Sequence, residues 1–212
     1  MADLRLLYDA ILDGDAKAAV SVAREALAEN LRPMDLITGH LVPAMDEVGR
    51  RFECQEFFVP ELLLSARAMK GAMELLQPLL AAAGAKPMGR VVIGTVKGDL
   101  HDIGKNLVAS MLQGGGFEIF DLGADVPPEK FVAAVRERQA QIVCLSALVT
   151  VTMPAMKTTI EALRNAGLRE QVKVLVGGAP LTEQYAREIG ADGYGENATE
   201  AVTLARRALA GT

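Results

Sequence analysis

The chain has 212 residues, half of them apolar, two cysteines and a formal net charge of −5. That length gives one large domain or two modest ones a real core, and the acidic balance without Lys/Arg clusters disfavours a nucleic-acid partner. No uninterrupted apolar run is long enough for a bilayer, no basic-then-apolar leader opens the chain, and Cys54 and Cys144 lack zinc-finger spacing, so the expectation is a cytoplasmic protein with free buried thiols and no membrane.

Leu4, Leu7, Tyr8 and Ile11 recur at helical spacing, and Asp13-Gly14-Asp15 supplies a stop and a new N-cap. A second helix follows, with Ala16, Ala19, Val20, Ala23, Ala26 and Leu27 on one face, before Asn30 ends it. The third segment starts near Pro33 and places Ile37, Leu41, Met45 and Val48 on one side; Pro43 is expected to kink it or divide it in two. His40 in this segment reads as a packing or surface histidine, because no other candidate ligand lies a helical turn away. Arg50 to Pro60 then interrupts the helices with Phe52, Phe57 and Phe58, which are expected to plug a core edge. The fourth helix, from about Pro60-Glu61, is apolar along Leu62, Ala66, Met69, Met73 and Leu76 and along a neighbouring face of Leu64, Ala68 and Leu75. Such a helix is either central to its bundle or covers something beyond it.

The small-residue stretch Ala81 to Gly89 separates these helices from a different rhythm, which places a helical domain at 1–84, a linker at 85–89 and a second domain at 90–212. Strand-like runs follow at Val91–Val96, Phe117–Leu122, Ile142–Leu145, Val172–Val176 and Asp192–Tyr194. They alternate with helical patterns at about Ile103–Gln113, Pro128–Gln139, Pro154–Asn165, Thr182–Ile189 and Thr199–Ala210. Alternation of this kind predicts an α/β domain with a flavodoxin-like (Rossmann-like), doubly wound, five-stranded parallel sheet, and a ligand at the carboxyl ends of its strands.

Three loops belong to that edge. The first, Gly98-Asp99-Leu100-His101-Asp102-Ile103-Gly104, carries an imidazole with a carboxylate two residues before it. The pair fits a metal ligand whose other ring nitrogen is held by the acid, and equally an ordinary surface histidine beside an N-capping aspartate. The second loop, Ser146 to Thr152, offers hydroxyls without a base to activate them, which suits positioning better than nucleophilic catalysis. The third begins Gly177-Gly178, a pair that admits close approach of a ligand or makes a turn. The G-x-S-x-G elbow, the Walker phosphate loop and the G-x-G-x-x-G fingerprint are all absent.

Taken together, Asp99-x-His101-x-x-Gly104, Ser146-x-Leu148 and Gly177-Gly178 resemble the triple pattern of cobalamin-binding domains that hold the corrinoid base-off and His-on. The helices before them resemble the four-helix bundle cap of methionine synthase and of the small corrinoid proteins of methyltransferase systems. The resemblance implies that His101 is the lower axial ligand to cobalt and that Asp99 accepts its other ring N–H. Thr152 falls where methionine synthase places a serine hydroxyl. Gly98, Asp102, Ile103 and Gly104 would lie at the corrin, while Ser146, Leu148, Thr150, Gly177 and Gly178 would line the cleft for the nucleotide tail. Phe52, Val59 and Leu62 would shield the methyl group from the cap side.

The function so implied is a non-catalytic methyl carrier of one-carbon metabolism, cycling its cobalt between Co(I) and methylcobalamin. A substrate-specific methyltransferase would load it, a second methyltransferase using tetrahydrofolate or a thiol would unload it, and a reductive activase would restore it. Opening of the cap for these partners would use Gly84 to Gly89 as a hinge. Methylamines, methanol, betaines and methoxylated aromatics all fit as donors. A mutase subunit, a cobalamin-dependent regulator and a flavodoxin-like module without corrinoid are the competing readings.

Overall fold

The run Arg90-Val91-Val92-Ile93-Gly94-Thr95 is apolar without alternation because both of its faces are covered: every residue after Arg90 is buried. It forms β1 (Arg90–Thr95) of the computed structural model, which describes residues 3–82 and 87–210. With β2 (Glu118–Asp121), β3 (Ile142–Ser146), β4 (Lys173–Gly177) and β5 (Gly193–Gly195) it makes a parallel sheet in the order β2-β1-β3-β4-β5. This is the flavodoxin-like order expected from the sequence. The chain leaves β1 toward β2 and returns on its other side at β3, so the sheet's switch point lies between β1 and β3.

Register decides which residues meet at that point. Thr95 pairs with Ser146, Ser146 with Gly177, and Gly177 with Gly195, so the last residues of four strands form one row across the sheet. The loops that follow therefore all start at one level. Helices α6 (Ile103–Gly114), α7 (Pro128–Arg138), α8 (Pro154–Asn165), α9 (Glu183–Ile189) and α10 (Ala198–Ala210) make the crossovers. Val92, Val143, Leu145 and Val174 from the strands pack with Phe131, Met156 and Ile160 from α7 and α8 in one apolar cluster. Cys144 lies within this sheet, where burial pushes its thiol up to about 12.

The amino-terminal part comprises α1 (Leu4–Leu12), α2 (Ala16–Ala28), α3 (Pro33–Leu36), α4 (Val42–Glu53) and α5 (Val59–Ala82). Asp3 and Asp15 cap α1 and α2 through their carboxylates, the second accepting from both Lys17 N and Ala18 N at 3.0 Å. Pro43 divides the third segment as expected, by an identifiable device. A π-turn over Ile37–Leu41, closed by Val42 N–H to the Ile37 carbonyl, restarts the helix so that Pro43 falls in the first turn of α4, where its missing donor is harmless. α5 packs against α1, α2, α3 and α4, which makes it the central helix of its bundle. Its main apolar face is buried as expected, whereas Leu64 on the neighbouring face is exposed.

Two expectations are corrected here. Cys54 is exposed: it ends α4 as the C-cap, where the chain turns out through a positive φ at Gln55. Phe58 is exposed too, and Phe57 lies under the Arg51 guanidinium rather than in a core, because the connection is held on the surface by charged groups.

The chain clusters into two units, Met1–Pro87 with Gln113–Gly116, and Met88–Leu112 with Phe117–Thr212. Of the expected linker and hinge, residues 83–86 lie outside the described residues. Gly89, just before β1, is buried, and its carbonyl accepts from Glu118 N at 2.9 Å. Among the described residues no helix is long and apolar enough to cross a membrane.

Candidate functional site

The loop after β1 is held by four hydrogen bonds from three places. Val96 N–H donates to the Ser146 carbonyl at 3.0 Å, tying the strand's exit to β3. Gly98, at φ +86°, turns the chain and donates its N–H to Asp125 Oδ1 at 2.7 Å. Asp125 N–H in turn donates to the Asp99 carbonyl at 2.9 Å, and the buried Thr95 hydroxyl donates to the His101 carbonyl at 2.9 Å. α6 then starts at Ile103, with Asn106 N–H on the Asp102 carbonyl at 2.8 Å.

Asp99 is the centre of this arrangement. Its Oδ1 accepts His101 N–H at 3.0 Å and lies 2.7 Å from His101 Nδ1. Its Oδ2 accepts Leu148 N–H at 2.8 Å and the Thr152 hydroxyl at 2.7 Å, with Val149 N–H at 3.4 Å. Burial by itself raises this carboxyl, but the bonds from Leu148, Thr152 and the backbone and ring of His101 outweigh it and hold the group well below the usual carboxylate range. A carboxylate has no proton to give, so Nδ1 is the donor, and in the neutral ring Nε2 carries the lone pair. The His101 side chain is 54% exposed while that of Asp99 is fully buried, so an imidazole with fixed tautomer stands at the surface on a buried anion.

Thr152 Oγ1 is also 2.8 Å from the Val149 carbonyl. Its one proton therefore has two acceptors, and rotation about the C–O bond moves it between them without displacing a heavy atom.

Leu100 and Ile103 beside the histidine, and Leu148 and Val151 on the facing loop, are exposed apolar side chains, Val151 at 84% and Leu100 at 76%. They leave exposed apolar surface on the two loops that meet at Asp99, beside a half-exposed imidazole, which suits a flat apolar ligand. A Cβ added at Gly104 would meet nothing within 4 Å, so the first turn of α6 is open above its backbone. Among the described residues no three His, Cys, Asp or Glu side chains group to hold a metal ion.

Of the residues singled out in the sequence, Gly98, Asp99, His101, Asp102, Ser146, Leu148, Thr150, Thr152, Gly177 and Gly178 stand on strand ends or loops at this edge, and Ile103 and Gly104 open α6 beside them. Gly178 is required by the protein itself: at φ +137° its Cβ would lie 1.9 Å from the Ala147 oxygen. Phe52, Val59 and Leu62 belong to the helical unit, where Phe52 is half-buried, Val59 exposed and Leu62 fully buried.

The sequence reading missed Thr95, Asp125, Leu100 and Val151. Comparing only the loops after the first, third and fourth strands left out Asp125, which follows β2 at the same edge. The two apolar side chains carried a legible signal, since an exposed leucine and valine in otherwise polar loops call for a cover.

A family model described as a B12 binding domain matches residues 89–203, and a second one with that description matches residues 4–77. Trimethylamine corrinoid protein 1 of Methanosarcina acetivorans is 46% identical over 203 residues, covering 95% of this chain and 94% of that protein. Dimethylamine corrinoid protein of Methanosarcina barkeri is 44% identical over 209 residues, covering 98% and 97%. Among solved structures, the methanol:cobalamin methyltransferase complex MtaBC from Methanosarcina barkeri matches with a TM-score of 0.88 at 32% identity, covering 99% of this chain and 80% of that one. A cobalamin-binding protein from Desulfitobacterium hafniense matches with a TM-score of 0.78 at 35% identity, covering 98% and 99%.

Proposed function

This chain belongs to the family of B12-binding corrinoid proteins of methyltransferase systems, and from that premise we propose that it is the methyl carrier between two methyltransferases. The first would be specific for a methylated substrate, and the second would pass the methyl group to tetrahydrofolate or a thiol. The names of its relatives support a methylated amine as the donor class. A reductive activase is the third partner in this reading, and the two free cysteines support a reducing cytoplasm as its setting.

The observation that carries the proposal is the half-exposed imidazole of His101 on buried Asp99, with exposed apolar side chains on its own loop and on the loop after β3. The residues fit a corrinoid: one nitrogen donor, exposed apolar side chains on the neighbouring loops and an open first helical turn. When bound, the corrinoid supplies a cobalt centre that takes up and hands on a methyl group. The chain's own part is to hold and orient. Asp99 fixes the tautomer and raises the donor strength of Nε2, and Thr152 keeps a proton within 2.7 Å of that carboxylate. Ser146, Leu148, Thr150, Gly177 and Gly178 are assigned to the nucleotide tail. Phe52, Val59 and Leu62 are assigned to shielding from a cap over 1–84, joined by a linker at 85–89 to a cobalamin-binding domain at 90–212.

The test is reconstitution with cobalamin, followed by incubation with the methyltransferase that co-purifies and with trimethylamine, dimethylamine, monomethylamine or methanol in turn. Donor-dependent methylation of the cofactor, passed on when a tetrahydrofolate- or thiol-dependent methyltransferase is added, is the expected result. A cofactor that accepts no methyl group from any donor overturns the carrier reading.

A further inference from the structure

Resting on the corrinoid site just described, we infer that the Lys105–Asp121 ion pair is a positioning device for His101, pinning the first turn of α6 to the end of β2. Lys105 lies four residues beyond the histidine, on the opening turn of α6, and its side chain is 1% exposed. A lysine ordinarily extends its ammonium into water. This one turns inward, where Nζ lies against Asp121 Oδ2 and donates to Asn106 Oδ1 at 2.6 Å. An uncompensated buried ammonium is strongly unfavourable, and an apolar side chain of the same length would fill the space without that penalty. What the charged pair adds is a fixed distance and direction between two segments.

Those segments are the ones from which the histidine hangs. Asp121 ends β2, and its Oδ1 accepts Gly123 N–H at 2.9 Å. The Gly123 carbonyl accepts Thr95 N–H at 2.9 Å, and the Thr95 hydroxyl donates to the His101 carbonyl at 2.9 Å. From His101 along α6 to Lys105, across to Asp121, and back through Gly123 and Thr95, the links close a ring. Asp99 sets the tautomer of the imidazole, whereas this ring sets the backbone that carries it. Neither Lys105 nor Asp121 has a hydrogen bond to the imidazole among the described contacts, so the pair acts through position alone.

The test uses the full chain loaded with methylcobalamin, whose visible spectrum separates the His-on from the His-off form. Lys105→Met and Asp121→Asn are expected to move the spectrum toward the His-off form and to weaken corrinoid binding about tenfold, the size found when outer partners of a metal-ligating histidine are removed. Lys105→Arg, which keeps the cation, is expected to restore much of the His-on band. A lysine that merely filled space would be replaced well by methionine, so folded Lys105→Met and Asp121→Asn proteins with the wild-type spectrum and affinity overturn the inference. Should Lys105→Met fail to fold, as thermal unfolding of the unloaded protein would show, Asp121→Asn decides between the same two outcomes, because its carboxylate is 37% exposed. Wild-type protein that takes up no corrinoid, or whose spectrum His101→Ala leaves unchanged, would bring down the underlying site reading, and this inference with it.

Discussion

The helical unit keeps its charged groups outside, and the α/β unit buries some of its own at a single sheet edge. In the helical unit Glu47 accepts from Arg50 Nε at 2.7 Å and Arg51 Nε at 2.9 Å, all with solvent access, and among its described residues the buried polar side chain is Ser65, whose hydroxyl reaches the Leu12 carbonyl at 3.4 Å. In the α/β unit Thr95, Asp99 and Thr152 are buried at the β1 and β3 strand ends and the loops after them, and Lys105 on the first turn of α6, while Thr159 and Thr199 are neutral hydroxyls buried on α8 and α10. Burying such groups is unfavourable unless partners stand ready, so a fold that needed only stability would do better with the first arrangement. Their concentration at the switch point marks the place where the chain gives up easy packing for a prepared ligand, and each polar atom there does find a partner.

Substitutions that break this contrast rank by how much of the edge they disturb. Gly178→Ala should be the most severe, because the added carbon would meet the Ala147 oxygen at 1.9 Å and the backbone sits at φ +137°. A loss of about 3 kcal/mol or more in a denaturant titration, together with lost corrinoid uptake, is expected. Asp99→Ala comes next, since it leaves the Leu148 and His101 N–H groups without their acceptor and the Thr152 hydroxyl with the Val149 carbonyl alone. The expected result is about 2 kcal/mol of stability lost and corrinoid affinity reduced about 10- to 100-fold, read by cofactor titration. Thr152→Val removes one hydroxyl from the same carboxylate, about 1 kcal/mol, whereas Thr152→Ser keeps it and should lie within about 0.5 kcal/mol of wild type.

The smallest effect belongs to the helical unit. Bonds from Arg50 and Arg51 hold the Glu47 carboxyl down to about 2 from an ordinary 4.5. A depressed folded-state value means that its contribution is complete above about 4.5 and is lost as pH falls toward 2. Because the group is accessible to solvent, Glu47→Gln should lower stability by less than about 1 kcal/mol at neutral pH and leave corrinoid affinity unchanged. The difference between the two proteins should vanish in melts recorded near pH 2.

How much of this was legible in the sequence follows the same division. The continuous apolar run of β1 declared a strand covered on both faces, and strict alternation beyond it was enough for the sheet order, because crossover rules leave few alternatives. Asp99 and His101 were legible as a pair because they are two residues apart. Asp125 and Asp121 were not, because their partners lie across a strand and only register brings them together. Gly177-Gly178 was visible but ambiguous; its second glycine is explained by an oxygen on the neighbouring loop, a contact no dipeptide discloses. Cys54 and Phe58 were misjudged for a related reason, since local apolar pattern does not say which side of a surface connection faces water.

The proposed site turns on one nitrogen, Nε2 of His101. Protein carrying His101→Ala, reconstituted with methylcobalamin and compared with wild type by visible spectroscopy, tests it directly. Wild type should show the His-on spectrum and the variant the His-off spectrum, with the α/β unit still folded because the imidazole is half in solvent. A variant that keeps the wild-type His-on spectrum would contradict the assignment of His101 as the ligand.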